Sequence, residues 1–242
     1  MRLNQMLIGS LAIILSACGG GGSGGGGGVP DPNAPTFKFF PPGYFVAGYR
    51  EEFDFNGTRI NAVTNDQLDV FTNNPVLVTQ PEAVFNLTTV IPTLDVGEIS
   101  FANGTATTPV SVTQYFTIDN NDRRYLGNVT IIFGFTTTTS AVSTSPIPET
   151  VRIGDSGIVG TYLDTVGKRH IISWDISDAG NDQARLTWTT TSGNATSSIT
   201  DGEVKDISII DVNGNRISKK IRGETFTSSP NIIDRWTGVK VP

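Results

Sequence analysis

Asn-Gly dipeptides stand at Asn56-Gly57, Asn103-Gly104 and Asn213-Gly214, each between stretches in which apolar and polar residues alternate. Asn-Gly supplies the positive φ values that a two-residue turn between antiparallel strands requires. Around the first, Phe53 and Phe55 alternate with Glu52 and Asp54, which puts the aromatics on one face of a strand and the carboxylates on the other. Around the third, Ile207 and Ile209 share a face, and Ile210 and Val212 share the opposite one. Further strands are predicted over 83–90, 110–118, 129–137, 157–163, 169–176 and 184–191. No segment sustains apolar spacing at three and four residues for more than two turns, so helix content is predicted to be small. The chain is therefore read as all-β. Its wealth of Thr, Ser, Asn and Gly agrees with an exported β protein.

The first residues have a different character. Arg2 and the amino terminus precede an apolar run from Met6 to Leu15, followed by the small residues Ser16 and Ala17. A run of about ten residues is too short to cross a bilayer as a helix, which needs roughly 20. The pattern is that of an export signal over residues 1–17. Leu15-Ser16-Ala17-Cys18 resembles the lipobox of bacterial lipoproteins, and Cys18 is the only cysteine in the chain. The resemblance implies that Cys18 is the lipid attachment site and the first residue of the mature protein, acylated by palmitate or a related chain. Two or more acyl chains give stable anchoring where one is marginal. Gly19 stands where inner-membrane lipoproteins carry aspartate, which implies the outer membrane, on its periplasmic face or at the cell surface.

Behind Cys18 lies GGGGSGGGGG, and residues 18–35 are read as a disordered, lipidated Gly/Pro-rich tether. Its root-mean-square reach is about 20–25 Å. A cysteine followed by such a tract is similar to that of surface-displayed lipoproteins, including neisserial ones that capture host proteins. VRIGDSGIVGTY, residues 151–162, is similar to a segment recurring in proteobacterial lipoproteins, and this resemblance implies no activity.

The remaining chain is predicted to form two small antiparallel β-sandwich or barrel-like domains, 36–145 and 146–242. They are divided within SAVSTSPIPET, where Pro146 and Pro148 interrupt a Ser/Thr tract. The formal net charge of −6 argues against nucleic acid as a partner. The expected partners are the membrane, through the anchor, and an envelope or extracellular protein or glycan.

Candidate chemistry is sparse. Gly154-Asp155-Ser156-Gly157 matches the nucleophile segment of chymotrypsin-like serine proteases, but the sole histidine, His170, follows the serine, whereas that family places it well before. Turn residues of this kind are also ordinary between strands. His170, Ile172, Trp174 and Ile176 alternate onto one face, as do Leu186 and Trp188, so both tryptophans are predicted to be core; Trp236 is left open. With one histidine and no free thiol, His/Cys metal clusters are not available. Asp119 to Asp122 and Asp211 to Asn215 offer calcium-type oxygens, yet the second lacks the downstream glutamate of a calcium loop. Glu51, Glu52, Asp201 and Glu203 are possible carboxylates for glycan hydrolysis, with no spacing that singles out an acid and a nucleophile. The reading is a non-enzymatic envelope lipoprotein with no catalytic residue, metal or cofactor. An envelope glycan hydrolase using paired carboxylates and a purely structural envelope component are the alternatives.

Overall fold

A computed structural model of the chain describes residues 34–46, 51–61, 70–76, 83–100, 107–132, 134–196, 200–225 and 232–241. The export signal, Cys18, nearly all of the tether and Asn103-Gly104 lie outside the described residues. Among the described residues every regular element is a strand. In chain order they are β1 (Thr36–Lys38), β2 (Phe53–Asn61), β3 (Val70–Val76), β4 (Ala83–Phe85) and β5 (Thr88–Ser100). Then follow β6 (Thr107–Thr117), β7 (Tyr125–Ile132), β8 (Phe135–Thr144), β9 (Thr150–Arg152) and β10 (Ser156–Asp164). The series ends with β11 (Lys168–Gly180), β12 (Gln183–Asn194), β13 (Thr200–Ile210), β14 (Arg216–Thr225) and β15 (Ile232–Lys240). Among the described residues no helix is long and apolar enough to cross a membrane.

Thirteen strands form one antiparallel sheet in the order β3-β2-β15-β14-β13-β12-β11-β10-β8-β7-β6-β5-β4, and β3 also pairs with β5. That extra pairing turns the sheet into a closed meander of twelve strands, with β4 outside the ring against β5. Closure satisfies the backbone groups that an open sheet would leave at its two edges.

The predicted division at residue 145 does not divide the sheet. Across it, β8 pairs with β10, and at the other junction Lys240 to Ile232 of β15 run against Phe53 to Asn61 of β2. The Ser/Thr tract that suggested a linker begins as strand: Ser140 to Thr144 belong to β8. The prolines lie in a crossover pinned to the barrel end, where Ser145 N–H donates to Val159 O, Ile147 N–H donates to Arg123 O, and the Ile147 side chain is buried.

Turn chemistry bears on three further departures from the sequence reading. Asn213-Gly214 does close the β13–β14 hairpin: Gly214 has φ +79°, and Asp211 Oδ1 accepts the amides of Asn213 and Asn215. Asn56-Gly57 instead lies inside β2, opposite Thr237 and Trp236. A Cβ on Gly57 would fall 2.3 Å from Arg235 O and 2.9 Å from the Trp236 ring, so this glycine makes room for a neighbouring strand and its indole. The 83–90 stretch is a hairpin, with Asn86 and Leu87 at φ 49° and 64° joining β4 to β5. The 129–137 stretch is likewise broken, between β7 and β8.

The barrel needs more filling than its walls supply, because eight strands already accommodate one layer of inward side chains and the interior widens with strand number. At one end the filling comes from the chain's own beginning. Strand β1 pairs with β9, Lys38 N–H donates to Val212 O, and Phe39 N–H donates to Glu149 O. Phe37 and Phe39 become fully buried against Tyr125, Tyr162, Trp174, Trp188 and Ile210. Gly214 is again required here, since a Cβ on it would lie 2.6 Å from Lys38 O. We call this the plugged end.

The outer wall over β12 to β15 carries Arg185, Glu203, Lys205, Lys220, Arg222, Glu224 and Arg235. A lipid-facing barrel wall loses about 2–4 kcal/mol for each Arg or Lys at the bilayer midplane. The five Arg and Lys side chains of this wall are unfavourable neighbours for lipid.

Candidate functional site

At the plugged end three segments enclose a cleft of about 450 Å³. The first is Phe40-Pro41-Pro42-Gly43-Tyr44-Phe45, a tight turn in which Tyr44 N–H donates to Pro41 O and Val46 N–H to Gly43 O, with Gly43 at φ +79°. Pro-Pro-Gly sets this geometry, because the prolines fix φ and the glycine accepts the left-handed conformation. The turn brings the rings of Phe40, Tyr44 and Phe45 within 4.8–5.0 Å of one another. They join the core through Phe116, 5.1 Å from Phe45.

The second segment is the β6–β7 connection, 118–124. Asp119 Oδ1 accepts Asn121 N–H, and Thr117 Oγ1 donates to Asp122 O while accepting Arg124 N–H. This framework carries Arg123 inward, where it is 5% exposed and its guanidinium lies 4.1 Å from the Phe45 ring centroid. Its nitrogens donate to Thr117 O and Asn120 Oδ1, both neutral acceptors. Burial pulls the guanidinium below its ordinary range, opposed by the charge of Asp119. The third segment, Ile147-Pro148-Glu149, closes the far side, and Lys38 stands at the rim.

The sequence candidates fall elsewhere. Ser156 pairs with Asp175, whereas His170 pairs with Tyr162, six residues farther along β10. At about 3.3 Å per residue that places serine and histidine some ~20 Å apart, beyond any hydrogen bond. Asp155 holds the turn, its Oδ2 accepting Arg152 N–H at 2.7 Å. His170 is buried and its Nε2 lies 2.9 Å from Asp164 Oδ2. Asp164 Oδ1 also accepts the amides of Val166 and Lys168, so the histidine and the aspartate together brace the β10–β11 turn. Burial by itself raises the Asp164 pKa, but the hydrogen bonds from His170, Lys168 and Val166 outweigh it and hold the carboxyl below the usual range.

Trp174 and Trp188 are directly opposed on β11 and β12, buried, and each is 5.3 Å edge-on from Phe39, as the alternation predicts. Trp236 is buried as well. The calcium-type loops use their oxygens internally: Asp122 pairs with Arg124, and Asp211 Oδ2 accepts Asn215 Nδ2. Among the described residues no group of three or more His, Cys, Asp or Glu side chains is arranged to hold a metal ion. Glu51 is buried between Arg216 and Lys240 at 3.4 and 3.3 Å; Asp201 pairs with Lys168, and Glu203 with Lys205. Glu51 adjoins the plugged end and Asp201 the opposite end, so these do not form one carboxylate pair.

A second polar group lies inside the barrel. Asp95 on β5 accepts Gln114 Nε2 at 2.7 Å, and Asp206 on β13 pairs with Lys219 on β14 at 2.9 Å. Burial pushes the Asp95 carboxyl up to about 6, against the pull of Lys219, Gln114 and Arg216.

Apart from Asn120 in the Asp119–Asp122 loop and Pro148 in the Ser/Thr tract, the cleft residues are not singled out by the sequence. FFPPGYF does announce an aromatic turn, and Arg123 follows an acid-amide loop, but nothing local says that the two meet. No family model, curated protein or solved structure matches this chain.

Proposed function

We propose that this chain is a non-enzymatic lipoprotein of the bacterial cell envelope, held to the outer membrane through Cys18 and presenting its β-body to a protein or glycan. The observation that carries the reading is a contrast. His170, Glu51 and Asp201, three of the groups that could serve catalysis, are committed to a turn or to ion pairs, while aromatic rings, prolines and cations converge on one open cleft at the plugged end. Pockets of about 300–1,000 Å³ with apolar walls and a few placed polar groups are typical of ligand sites. The charged outer wall fits a body that stands in water, and the Cys18 motif supplies attachment without a membrane-crossing segment.

The anchor and the binding role are tested separately. Cys18→Ala is expected to abolish labelling by radioactive palmitate and to move the protein out of the detergent phase or leave it unprocessed. Retained label with unchanged partitioning would refute the anchor. For binding, the full chain in detergent micelles is screened against a glycan array and against envelope and host-surface proteins. Saturable binding weakened by Tyr44→Ala supports the reading, and absence of binding in both arms refutes it.

A further inference from the structure

We propose that the cleft at the plugged end binds a saccharide bearing a carboxylate, with the sugar face on Tyr44 and Phe40 and the acid group on Arg123 and Lys38. This rests on the binding reading above and gives its site a ligand class.

The argument begins with Arg123. A buried cation is ordinarily compensated by an anion in contact, because its desolvation is costly. The guanidinium of Arg123 is nearly out of water, yet its hydrogen-bond acceptors are a peptide carbonyl and a carboxamide. Asp119 acts on it through the field, without a direct hydrogen bond. Arg124, its neighbour, has the pairing that Arg123 lacks, its Nε lying 2.9 Å from an oxygen of Asp122. The charge of Arg123 therefore meets the cleft incompletely neutralised. Lys38 adds a second positive charge and Glu149 one negative, so the lining is net positive in a protein of net charge −6. A carboxylate entering there completes a charge-assisted contact in a partly dehydrated site, where such bonds are strongest.

The remaining lining argues for a sugar. Tyr44 and Phe40 pack against each other, 4.9 Å apart at 31°, with the Arg216 guanidinium 5.2 Å from the Tyr44 centroid; both rings are partly exposed and present apolar edges against which the C–H side of a pyranose can pack. The volume suits a few sugar units. Outside the closed ring, a peptide that binds by adding a strand finds only the short strands β1 (Thr36–Lys38), β4 (Ala83–Phe85) and β9 (Thr150–Arg152) among the described residues.

Calorimetry on the full chain in micelles, with a panel of uronate and sialate tetrasaccharides, their methyl esters and maltotetraose, tests this. At least one acidic member is expected to bind, with its ester about tenfold weaker. Lys38→Gln, at the rim, is expected to weaken the acid about tenfold and leave the ester unchanged, whereas Tyr44→Ala should weaken both. Arg123→Gln should abolish acid binding, and Lys38→Gln carries the charge test should that variant not fold. Equal affinity for acid and ester, indifference to Lys38→Gln and Tyr44→Ala, or no binding by any acidic member would each overturn the proposal. Binding of maltotetraose or of a protein that is weakened by Tyr44→Ala would overturn the acidic ligand and leave the binding reading standing.

Discussion

Asp95 sits on the inward side of β5, where Gln114, Lys219, Arg216 and Asp206 are the polar groups that act on it. Burial outweighs the attraction of the two cations, and the carboxyl titrates near 6, against 3.8 for the ordinary group. Between those values the folded protein keeps a proton that the unfolded chain has released. Stability must then fall as pH rises from about 4 to 6 and level off above. Asp164 works in the other direction: its depressed pKa contributes stability that is complete above the unfolded value and is lost as pH falls below it. Asp95→Asn is accordingly expected to raise the melting temperature at pH 7.5 and to remove the decline between pH 4 and 6, while leaving the acid limb below pH 4 in place. Thermal melts at half-unit pH steps would show it. A decline that persists in the variant would assign the effect to another group.

Within the elements, the strongest dependence is on the seam between β11 and β12. Trp174 and Trp188 face each other across it and both rest on Phe39 of the plug, so one indole links two strands and the chain's own beginning. Removing a buried aromatic side chain typically costs about 3–5 kcal/mol. Trp174→Ala and Trp188→Ala are each expected to lower stability by about that much, and the outward Arg185→Ala by less than about 0.5 kcal/mol, in urea unfolding. A Trp174→Ala protein that melts like wild type would place that ring outside the core. The inward face of β11 was legible from alternation alone, because a half-buried strand writes its two environments at every second residue. Turns were legible only where the dipeptide serves the turn. Asn213-Gly214 does so; Gly57 serves Trp236, and Asn86-Leu87 adopts positive φ with no glycine to signal it. The cleft was illegible for a different reason: Tyr44, Arg123 and Glu149 come from three segments joined by pairings far apart in sequence.

For the whole molecule the decisive pairing is that of β15 with β2, where the end of the chain meets its beginning and the meander closes. Together with β8–β10 it unites the segments 36–145 and 146–242 in one sheet. Sequence reasoning divided the chain at Ser140–Thr150 because a proline-bearing Ser/Thr tract is a common linker, whereas its partners here lie on β7, β10 and the plug. Closure is tested most directly by a pair of cysteines. Asp54 and Val239 are opposed across the β2–β15 seam and both are exposed. In a Cys18→Ser background, Asp54→Cys with Val239→Cys should form an intramolecular disulfide on mild oxidation, as readily as the hairpin pair Ser177→Cys with Arg185→Cys on β11 and β12. If the hairpin pair cross-links while residues 54 and 239 remain reduced, the barrel is not closed between β2 and β15.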